Sequence, residues 1–539
     1  MRTGPLVPSP HPVPTGTESR VIDRWAMEQA GVPSPALMER AGTHAATLIA
    51  RHLGLPDPMR AVVVAGSGDN GGDARIVARC LEAWGHEVRL LETGSDERSE
   101  VLTRRRLSAK PVADLDDDLL RAALFSADVV VDGMLGTGAS GELRGEVLRV
   151  ARLLDDLGDR APFVVSLDTP TGTDADTGAV VPLALRASAT IAFGWPKLGT
   201  LLRPARSHAG RLIAVEIGFP DLDDEGAPPA SWQALDAGWA RGVLPVRAAD
   251  THKNESGPVL VVAGSEGMAG AAILAGRAAL RAGAGYLRVA SVPSNREVVQ
   301  TALPEAVWVD RTDESALHAA LAASRSLVVG PGIGTDGAAA EVLRVVLDAD
   351  LPAVVDADAL TLIARGEAEV PTRDDGSAIL LTPHPGEAAR LLGVETADVQ
   401  ADRPAALERL REQTGAVVLL KGSPSLVAGA RRWLDPTGSS DLATAGVGDV
   451  LSGTIGGLVA RGVDVEPAAG LGLWLTSTAA RIADHGPGLQ SVDLPDHLPA
   501  AMAETRAGRG LRRAEPWVTF DDPAGASSSA RGSTSGDGP

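Results

Sequence analysis

Residues 61–74 read AVVVAGSGDNGGDA, and this stretch decides the fold of the first half of the chain. The apolar run at 61–65 predicts a buried strand, and ARIVARCLEAWG at 74–85 predicts a helix. Glycines let a backbone approach a ligand closely, and the free amides at the start of a helix suit an anion. The stretch therefore predicts a ligand site between strand and helix, with a tight turn that binds nothing as the alternative.

The composition limits the possible partners and compartments. The 539 residues are too many for one hydrophobic core, and no uninterrupted apolar run approaches the roughly 18 residues of a membrane span. The first residues, MRTGPLVPSPHPVPTG, carry prolines where a signal peptide has its apolar core, so we expect no export. The formal charge of −20 argues against nucleic acid and membrane partners, and the single cysteine, Cys80, favours a reducing, cytoplasmic location.

Two series of short apolar runs, each alternating with helical patterns, predict an α/β protein with two parallel sheets covered on both faces. The runs lie at 61–65, 86–92, 128–132, 163–168, 189–193 and 212–218, and again at 258–264, 286–292, 326–332, 352–358, 378–383 and 416–422. The predicted organisation is a disordered lead (1–18), a first domain (19–218), a Pro- and Gly-rich linker (219–239), a second domain (240–505) and a disordered tail (515–539).

Oxygen-bearing side chains follow three strands of the first series. Asn70 comes after the first strand, Asp132 and Asp168 end two others, and Thr171 follows the last of these. In open parallel sheets, ligands bind beyond the carboxyl ends of the strands. Oxygen ligands suit a hard cation better than zinc, although Asp at such turns often serves only as a helix cap.

The second half carries a candidate phosphate site. Residues 445–448 are expected to present free amides at the start of the helix that begins near Asp449. Lys421, which directly follows a predicted strand, is the best-placed cation of this half for a phosphate. His384 lies between two prolines in TPHPGE (382–387). The layout is typical of nucleotide-dependent phosphoryl transfer. The alternatives are a helix cap for Asp449, a solvated lysine and a turn histidine.

Four motifs of the first half resemble the NAD(P)H-hydrate epimerase domain, the YjeF N-terminal family: ALMERAG (36–42), GSGDNGGDA (66–74), DGMLGTGASGELRG (132–145) and LDTPTG (167–172). The resemblance implies a Rossmann-like three-layer fold, a potassium site at Asn70, Asp132 and Thr171, and Asp168 as the acid/base residue. It also implies that the hydrated dinucleotide contacts Asp69, Asn70, Gly71, Gly72, Asp73, Gly136, Thr137, Gly138, Ala139, Ser140, Gly141, Glu142 and Asp168. The chain departs from the family pattern at Asp69 (usually Asn), Ala74 (usually Gly) and Thr171 (usually Ser).

The second half resembles the ADP-dependent NAD(P)H-hydrate dehydratase family, whose fold is ribokinase-like. The resemblance rests on HKNESGPVLVVAGS, MAGAAILAGRAALRAGAG, GPGIG, DADAL, TPHPGE, KGSPS and GVGDVLSG in one order between 252 and 453. It implies substrate contacts at Ala271, Gly334, His384 and Asp449, with Asp449 as the catalytic base. Nucleotide contacts are implied at Lys421, Gly422, Ser423, Pro424, Ser425 and Gly448. Ala445, Val447 and Ser425 replace residues usual in the family.

The two resemblances together imply a bifunctional enzyme of metabolite repair. One half would interconvert the R and S hydrates of NADH and NADPH, NADHX and NADPHX, with K⁺. The other would dehydrate the S form with Mg²⁺ and ADP as co-substrate, giving AMP and phosphate. We also expect a homo-oligomer. The alternative is a ribokinase-like small-molecule kinase joined to a dinucleotide-binding module without catalytic activity.

Overall fold

The computed structural model describes residues 11–104, 107–246, 257–372, 379–508 and 517–520. These residues divide into two compact units. The N-terminal unit is Pro12–Gln233 together with the strand Trp517–Phe520, and the described part of the C-terminal unit runs from Ala234 to Gly508. Each unit is described by itself.

The N-terminal unit alternates strands and helices, as the apolar pattern predicts. In chain order the elements are β1 (His11–Val13), α1 (Gly16–Glu28), α2 (Ser34–Arg51), β2 (Arg60–Ala65), α3 (Asp69–Ala83), β3 (Glu87–Glu92), α4 (Ser99–Leu102), β4 (Lys110–Pro111), α5 (Asp117–Phe125), β5 (Val129–Gly133), α6 (Gly145–Leu157), β6 (Phe163–Leu167), β7 (Ala189–Phe193), α7 (Leu198–Leu201) and β8 (Arg211–Val215). Short 3₁₀ helices lie at Val112–Asp114, Gly158–Arg160 and Ala205–His208.

Strands β2 to β8 form one parallel sheet whose order places β2 beside β5. The chain runs outward from β2 to β4 on one side, and from β5 to β8 on the other, so the strand order reverses between β2 and β5. Both faces of the sheet are covered, because Ala61, Val63 and Ala65 pack in one apolar cluster while Val62 and Val64 pack in another. A reversal of this kind opens a crevice at the carboxyl ends of the two strands.

The C-terminal unit repeats this alternation with a larger helical layer. Its elements, preceded by β9 (Trp232–Ala234), are α8 (Ala237–Val243), β10 (Pro258–Val262), α9 (Ala269–Arg281), β11 (Tyr286–Ser291), α10 (Arg296–Ala302), β12 (Val307–Asp310), α11 (Glu314–Ala322), β13 (Ser326–Val329), α12 (Gly337–Asp348), β14 (Ala353–Val355), α13 (Asp358–Ala364), β15 (Ile379–Leu381), α14 (Pro385–Leu392), α15 (Thr396–Ala401), α16 (Arg403–Thr414), β16 (Val417–Leu420), β17 (Ser425–Ala428), β18 (Arg432–Asp435), α17 (Val447–Ala460), α18 (Val465–Ala483) and α19 (Asp493–Ala507), with 3₁₀ helices at Pro293–Asn295, Ser440–Leu442 and Gly486–Gly488. The last strand of the chain is β19 (Trp517–Phe520).

Strands β10 to β16 are parallel, and β17 and β18 extend the sheet in antiparallel fashion. The strand order reverses between β10 and β13. Along β10, Val259 and Val261 face one apolar cluster, and Leu260 and Val262 face the other, so this sheet is also covered on both faces. The α/β fold class predicted from the sequence is confirmed in both units.

Small residues set the position of α17 in the second layer. A Cβ added to Gly453 would lie 2.1 Å from the carbonyl oxygen of Ala275 on α9, and one added to Gly456 would lie 2.2 Å from Cγ2 of Val328 on β13. Only glycine allows so close an approach of the helix to both neighbours. The packing thereby fixes where the N-terminus of α17 lies relative to the strand ends.

The structure corrects three predicted boundaries. Residues 11–18 of the predicted disordered lead form β1 and the start of α1, because Thr15 and Glu18 make a reciprocal capping box that starts the helix. The predicted linker 219–239 contains β9 and the start of α8. In the predicted tail, 517–520 pairs with β8 as an antiparallel strand. Residues 1–10, 515–516 and 521–539 of the predicted disordered ends lie outside the described residues.

Of the helices in the described ranges, none combines the length and the apolar composition of a membrane span.

We predict that β19 stabilises the N-terminal unit. Phe520 is buried, and its carbonyl oxygen accepts a hydrogen bond of 2.7 Å from Nη2 of Arg206. Burying one Phe contributes about 1.5–3 kcal/mol, so a chain ending at Gly508 should lose roughly 3–10 °C from the melting temperature of this unit. Differential scanning calorimetry of this chain and of one ending at Asp522 tests the prediction. Equal melting temperatures would contradict it.

Candidate active sites

A cavity of about 510 Å³ opens in the N-terminal unit where the strand order reverses. Its walls come from the loops after β2 and β5, from the end of β6 and from helices α1 to α3. Eight of the residues predicted to contact the dinucleotide line it: Asp69, Asn70, Asp73, Gly136, Thr137, Gly138, Ala139 and Asp168. The Gly-rich turn of the sequence therefore borders a cavity.

Two features suit this turn to an anion. A Cβ on Gly66 would lie 2.0 Å from the carbonyl oxygen of Met134, so the loops after β2 and β5 touch at backbone distance. Helix α3 begins after Gly68 without a side-chain cap. Its first amides are orphan donors, as at any helix start, and they are available to a pyrophosphate.

Asp168 and Lys197 form a buried ion pair inside the cavity. Nζ of Lys197 bonds to Oδ1 of Asp168 and donates to the carbonyl oxygen of Phe193 at 3.0 Å. Asp168 has φ +63°, which is unusual for a residue with a side chain, and such strain concentrates at functional sites. Lys197, which sequence reasoning missed, thus accompanies the predicted acid/base residue.

Two further carboxyl groups border the same cavity, Asp23 on α1 and Asp73 on α3. The pKa of Asp23 is raised to about 6, chiefly by burial; Lys197 opposes the shift, and Asp168 and Asp69 add to it. Burial, followed by repulsion from Asp168 and Asp69, raises the pKa of Asp73 well above its usual value. The cavity thus contains carboxyl groups that can hold a proton near neutral pH.

The three predicted potassium ligands are connected through hydrogen bonds by way of Leu135, and Asn70 also lines the cavity. Asp132 is fully buried and accepts hydrogen bonds from the hydroxyls of Ser166 and Thr171 and from the amides of Thr171 and Met134. Nδ2 of Asn70 donates to the carbonyl oxygens of Leu135 (2.8 Å) and Leu167 (3.0 Å). Burial raises the pKa of Asp132, against the effect of the Thr171 bonds.

The oxygen of the Asn70 side-chain amide has no hydrogen-bond partner among the described residues. Oδ1 is buried, and no group among the described residues donates to it. The same part of the chain contains no cluster of three or more His, Cys, Asp or Glu side chains placed to hold a metal ion. An amide oxygen beside hydroxyl and carboxylate oxygens suits a hard monovalent cation.

Not every predicted epimerase residue reaches the main cavity. Ser140, Gly141 and Thr171 line an adjoining cavity of about 170 Å³. Gly71 and Gly72 lie buried within α3, and Glu142 borders neither cavity. A Cβ on Gly71 would lie 2.0 Å from the carbonyl oxygen of Gly66, which accounts for a glycine there without a ligand.

The departure at Asp69 is balanced by a cation. Oδ1 of Asp69 accepts a hydrogen bond of 2.9 Å from Nη1 of Arg98, which also contacts Asp96. The negative charge that the sequence places at the start of α3 is therefore paired. Sequence reasoning did not identify Arg98, because it lies 29 residues from Asp69.

In the C-terminal unit, Asp449 lies in the first turn of α17, which begins after Gly446 at φ +86° without a side-chain cap. The Asp449 side chain caps no helix, contrary to the simplest structural interpretation. Its pKa is raised to about 7 by burial and by repulsion from Asp356, with Lys421 opposing the shift. A carboxylate of this pKa can exchange a proton near neutral pH.

Lys421, whose charge lies near Asp449, forms an ion pair with a second carboxylate, that of Asp356. Its Nζ lies 2.7 Å from Oδ1 of the buried Asp356, whose Oδ2 accepts 2.7 Å from the hydroxyl of Ser452. A Cβ on Gly448 would lie 3.3 Å from the same Nζ. Burial opposes the charge of Lys421, but Asp356 and Glu387 outweigh it and raise the pKa. Lys421, Gly448 and Asp449 are thus neighbours.

His384 is the N-cap residue of α14, and one nitrogen of its ring accepts hydrogen bonds from the first amides of the helix. Nδ1 accepts hydrogen bonds from the amides of Gly386 (3.0 Å) and Glu387 (3.3 Å), so the free proton of the neutral ring belongs to Nε2. Burial, together with Lys421 and Arg390, lowers the pKa of His384. The ring is therefore neutral and oriented, rather than a turn histidine without contacts.

The remaining predicted residues line the ends of neighbouring strands. Gly422, Ser423, Pro424 and Ser425 form the turn between β16 and β17, closed by a bond of 3.1 Å from the Ser425 hydroxyl to the carbonyl oxygen of Gly422. Ala271 on α9 faces the loop after β13, where Gly334 donates to Asp358. Sequence reasoning did not name Asp356, although DADAL was a visible signal.

Comparisons with known proteins agree with this layout. Residues 34–199 match the YjeF-related protein N-terminus, and residues 259–501 match NAD(P)H-hydrate dehydratase. A bifunctional NAD(P)H-hydrate repair enzyme of Moorella thermoacetica is 37% identical over 532 residues, covering 93% of this chain and 99% of that protein. The chain belongs to this family. Both of its units have the α/β architecture that the two resemblances imply.

Two more comparisons cover different extents of the chain. The bifunctional NAD(P)H-hydrate repair enzyme of Escherichia coli K12 is 33% identical over 478 residues, or 88% of this chain and 90% of that protein. The solved ADP/ATP-dependent NAD(P)H-hydrate dehydratase of Bacillus subtilis, co-crystallised with ATP and Mg²⁺, is 31% identical. It covers 50% of this chain and 97% of its own, with a TM-score of 0.45.

We predict that Asp449→Asn stabilises the C-terminal unit at alkaline pH. The pKa of Asp449 is raised from 3.8 to about 7 in the folded state. Ionisation of this group therefore lowers the free energy of unfolding progressively between these pH values, and the full loss is reached above pH 7. Asn cannot ionise, so the variant should exceed the native free energy of unfolding by roughly 1–4 kcal/mol at pH 8. The difference should shrink toward pH 4.

Urea unfolding at pH 4.5 and pH 8 tests this. Asp348→Asn, which removes an exposed carboxylate at the end of α12, is the matched control. A variant less stable than the native protein at pH 8 would contradict the prediction.

Proposed function

We propose that the chain is a bifunctional repair enzyme. The N-terminal unit epimerises the R and S forms of NADHX and NADPHX, and the C-terminal unit dehydrates the S form with ADP. The observation that carries the proposal is the position of Asp449. It lies in the first turn of α17 close to Lys421, it does not cap the helix, and its raised pKa suits it to exchange a proton. This arrangement supplies a base, a cation and helix amides to one phosphoryl group.

The dehydration proceeds in two balanced steps. Asp449 accepts the proton of the C6 hydroxyl, whose oxygen attacks the β-phosphorus of ADP as the bond to AMP breaks. The resulting phosphate ester then leaves C6 as inorganic phosphate, with loss of a proton from C5, which restores the 5,6 double bond. Lys421 and the first amides of α17 stabilise the negative charge on the phosphoryl oxygens.

Mg²⁺ fits this end of the sheet. Asp358 would supply a hard oxygen donor, and Mg²⁺ in such sites is bound by one or two carboxylates together with substrate phosphates. When bound, the ion neutralises charge on the phosphates of ADP. Lys421 is anchored by Asp356, whose other oxygen accepts a hydrogen bond from Ser452, so its ammonium group keeps one position during turnover.

Epimerisation needs one proton removed and another delivered. C6 carries both a hydroxyl group and the ring nitrogen N1, so opening the C6–N1 bond gives an aldehyde that can close again on either face. We assign proton removal from the hydroxyl to Asp168. Lys197 holds that carboxylate in place through its ion pair and its bond to the carbonyl oxygen of Phe193.

We propose that K⁺ binds at Asn70, Asp132 and Thr171. The unpartnered Oδ1 of Asn70 supports this site, because a buried oxygen without a donor is costly unless a ligand satisfies it. Bound there, the ion would hold together the loops after β2, β5 and β6 that border the cavity.

The single cysteine, Cys80, is buried and free, which agrees with the proposed cytoplasmic location, and the homo-oligomer remains a prediction.

The test of the proposal uses purified epimer mixtures of NADHX. The full chain with ADP should return the absorbance of the dihydronicotinamide for both epimers, with one AMP and one phosphate released for each NADH formed. A stable phosphorylated product would instead indicate the kinase alternative. Recovery of the S epimer alone would leave the N-terminal unit without its proposed activity.

We predict that Asp449→Asn reduces dehydration by at least ~100-fold, because the loss of a general base costs on the order of 10²–10⁴-fold in rate. The conversion of R to S, followed by chiral chromatography without ADP, should stay normal. The control Asp348→Asn should dehydrate at the native rate. Near-native turnover of Asp449→Asn would remove Asp449 from the catalytic role and make His384 the next candidate base.

We predict that K⁺ supports epimerisation only. Replacing K⁺ by tetramethylammonium, which is too large for the Asn70 site, should slow the conversion of R to S while leaving dehydration of the S form unchanged. Thermal melting supplies a second readout, since K⁺ binding should raise the melting temperature of the N-terminal unit. Equal loss of both activities would contradict the site.

A further inference from the structure

Helix α1 brings a carboxyl group into the N-terminal cavity that no motif of the sequence marks. Asp23 borders the cavity together with Ser19, Arg20 and Met27 of the same helix. The match to the YjeF-related N-terminus begins at residue 34, after α1 has ended. This wall of the cavity is therefore contributed by a segment outside the matched region.

The position of α1 is fixed independently of Asp23. Thr15 caps the helix, and the amide and hydroxyl of Thr17 donate to the carboxylate of Asp176, at 2.7 and 2.9 Å. Ile22 and Ala26, next to Asp23 along the helix, are fully buried. The side chain of Asp23 is thus presented to the cavity by a helix that other contacts hold.

The carboxyl group itself is not used structurally. Among the described residues, no hydrogen bond or ion pair engages it. The ionisable groups that face it are the following: Lys197 after β7, Asp168 after β6, Asp69 and Asp73 on α3, and Arg20 on its own helix. Asp69 is in turn paired with Arg98.

The carboxyl groups of Asp168, Asp23 and Asp73 differ in their partners and in their burial. Asp168 has Lys197 as its partner, whereas Asp23 has none and its pKa is raised to about 6 by burial. Asp73 is buried, and burial followed by repulsion from Asp168 raises its pKa. One carboxyl group of the cavity is therefore suited to accept a proton, and another is suited to donate one.

We propose that Asp23 is the general acid of epimerisation and acts opposite the base Asp168, an assignment that rests on the epimerase function proposed above. Asp168 takes the hydroxyl proton as the C6 oxygen forms a carbonyl. The electron pair of the C6–N1 bond moves to N1, which receives the proton of Asp23. After rotation of the aldehyde, N1 attacks its other face, Asp23 recovers its proton from N1, and Asp168 returns the other proton to the oxygen. No co-reactant is consumed.

The decisive variant is Asp23→Asn in the full chain, assayed for conversion of R-NADHX to S-NADHX across pH 5 to 9. The native rate constant kcat should fall on the alkaline side, because the acid must carry its proton. In Asp23→Asn, kcat should drop by at least ~100-fold and lose this alkaline decline, with KM nearly unchanged. Asp23→Glu should restore part of the rate and the alkaline decline.

The controls separate catalysis from structure. Glu28→Gln removes an exposed carboxylate from the same helix and should leave both kcat and the pH profile native. Dehydration of S-NADHX with ADP should be native in all three variants, and an unchanged melting temperature of the N-terminal unit shows that this unit is folded. A raised KM with the alkaline decline intact would indicate a binding role and overturn the proposal.

Two other outcomes are equally informative. Native kcat in Asp23→Asn, or loss of the alkaline decline in Asp73→Asn but not in Asp23→Asn, would also overturn the assignment. Failure of the native chain itself to interconvert the epimers would reject the epimerase function, and this result is distinct from the other two.

Discussion

Each unit depends on one buried aspartate at the carboxyl end of a central strand. A buried carboxylate is costly unless hydrogen bonds satisfy it, so its donors have little freedom to move. Asp132 ties the loops after β5 and β6 together through Ser166, Thr171 and Met134. Asp356 does the same for Lys421 and Ser452. These two networks hold the strand ends and loops beside which the proposed catalytic groups lie.

A protein with a formal charge of −20 must still attract ligands that carry several phosphates. Both units meet this requirement locally, with helix N-termini that lack side-chain caps and with one well-anchored cation each. Arg98 offsets Asp69 in the first unit, and Lys421 lies between Asp356 and Gly448 in the second. Local donors act over a few ångströms, whereas the distant acidic surface is screened within about 8 Å at physiological salt.

Much of the fold was predictable, because buried parallel strands and Gly-rich turns leave strong local patterns. Asp168, Asn70 and Asp449 could be proposed because each directly follows a strand or lies at the start of a helix, and their roles stay predictions. Lys197, Arg98 and Asp23 were not, because their significance comes from partners far away in sequence: Lys197 is 29 residues from Asp168. Asp356 illustrates the same limit, as its partners Lys421 and Ser452 lie 65 and 96 residues onward. Strand β19 was assigned to a disordered tail because four residues reveal a strand only when β8 is known to accept them.

The pairing of β19 with β8 also sets an order of assembly. Arg206 and Phe520, which bond across this edge, are separated by 314 residues, and the whole C-terminal unit lies between them. During synthesis the ribosome completes residues 12–233 first, yet the edge of β8 stays open until residue 520 has emerged. An open edge strand invites pairing with other chains. The first unit to be translated is therefore the last to be closed, and its finished sheet marks a chain whose second unit has already been made.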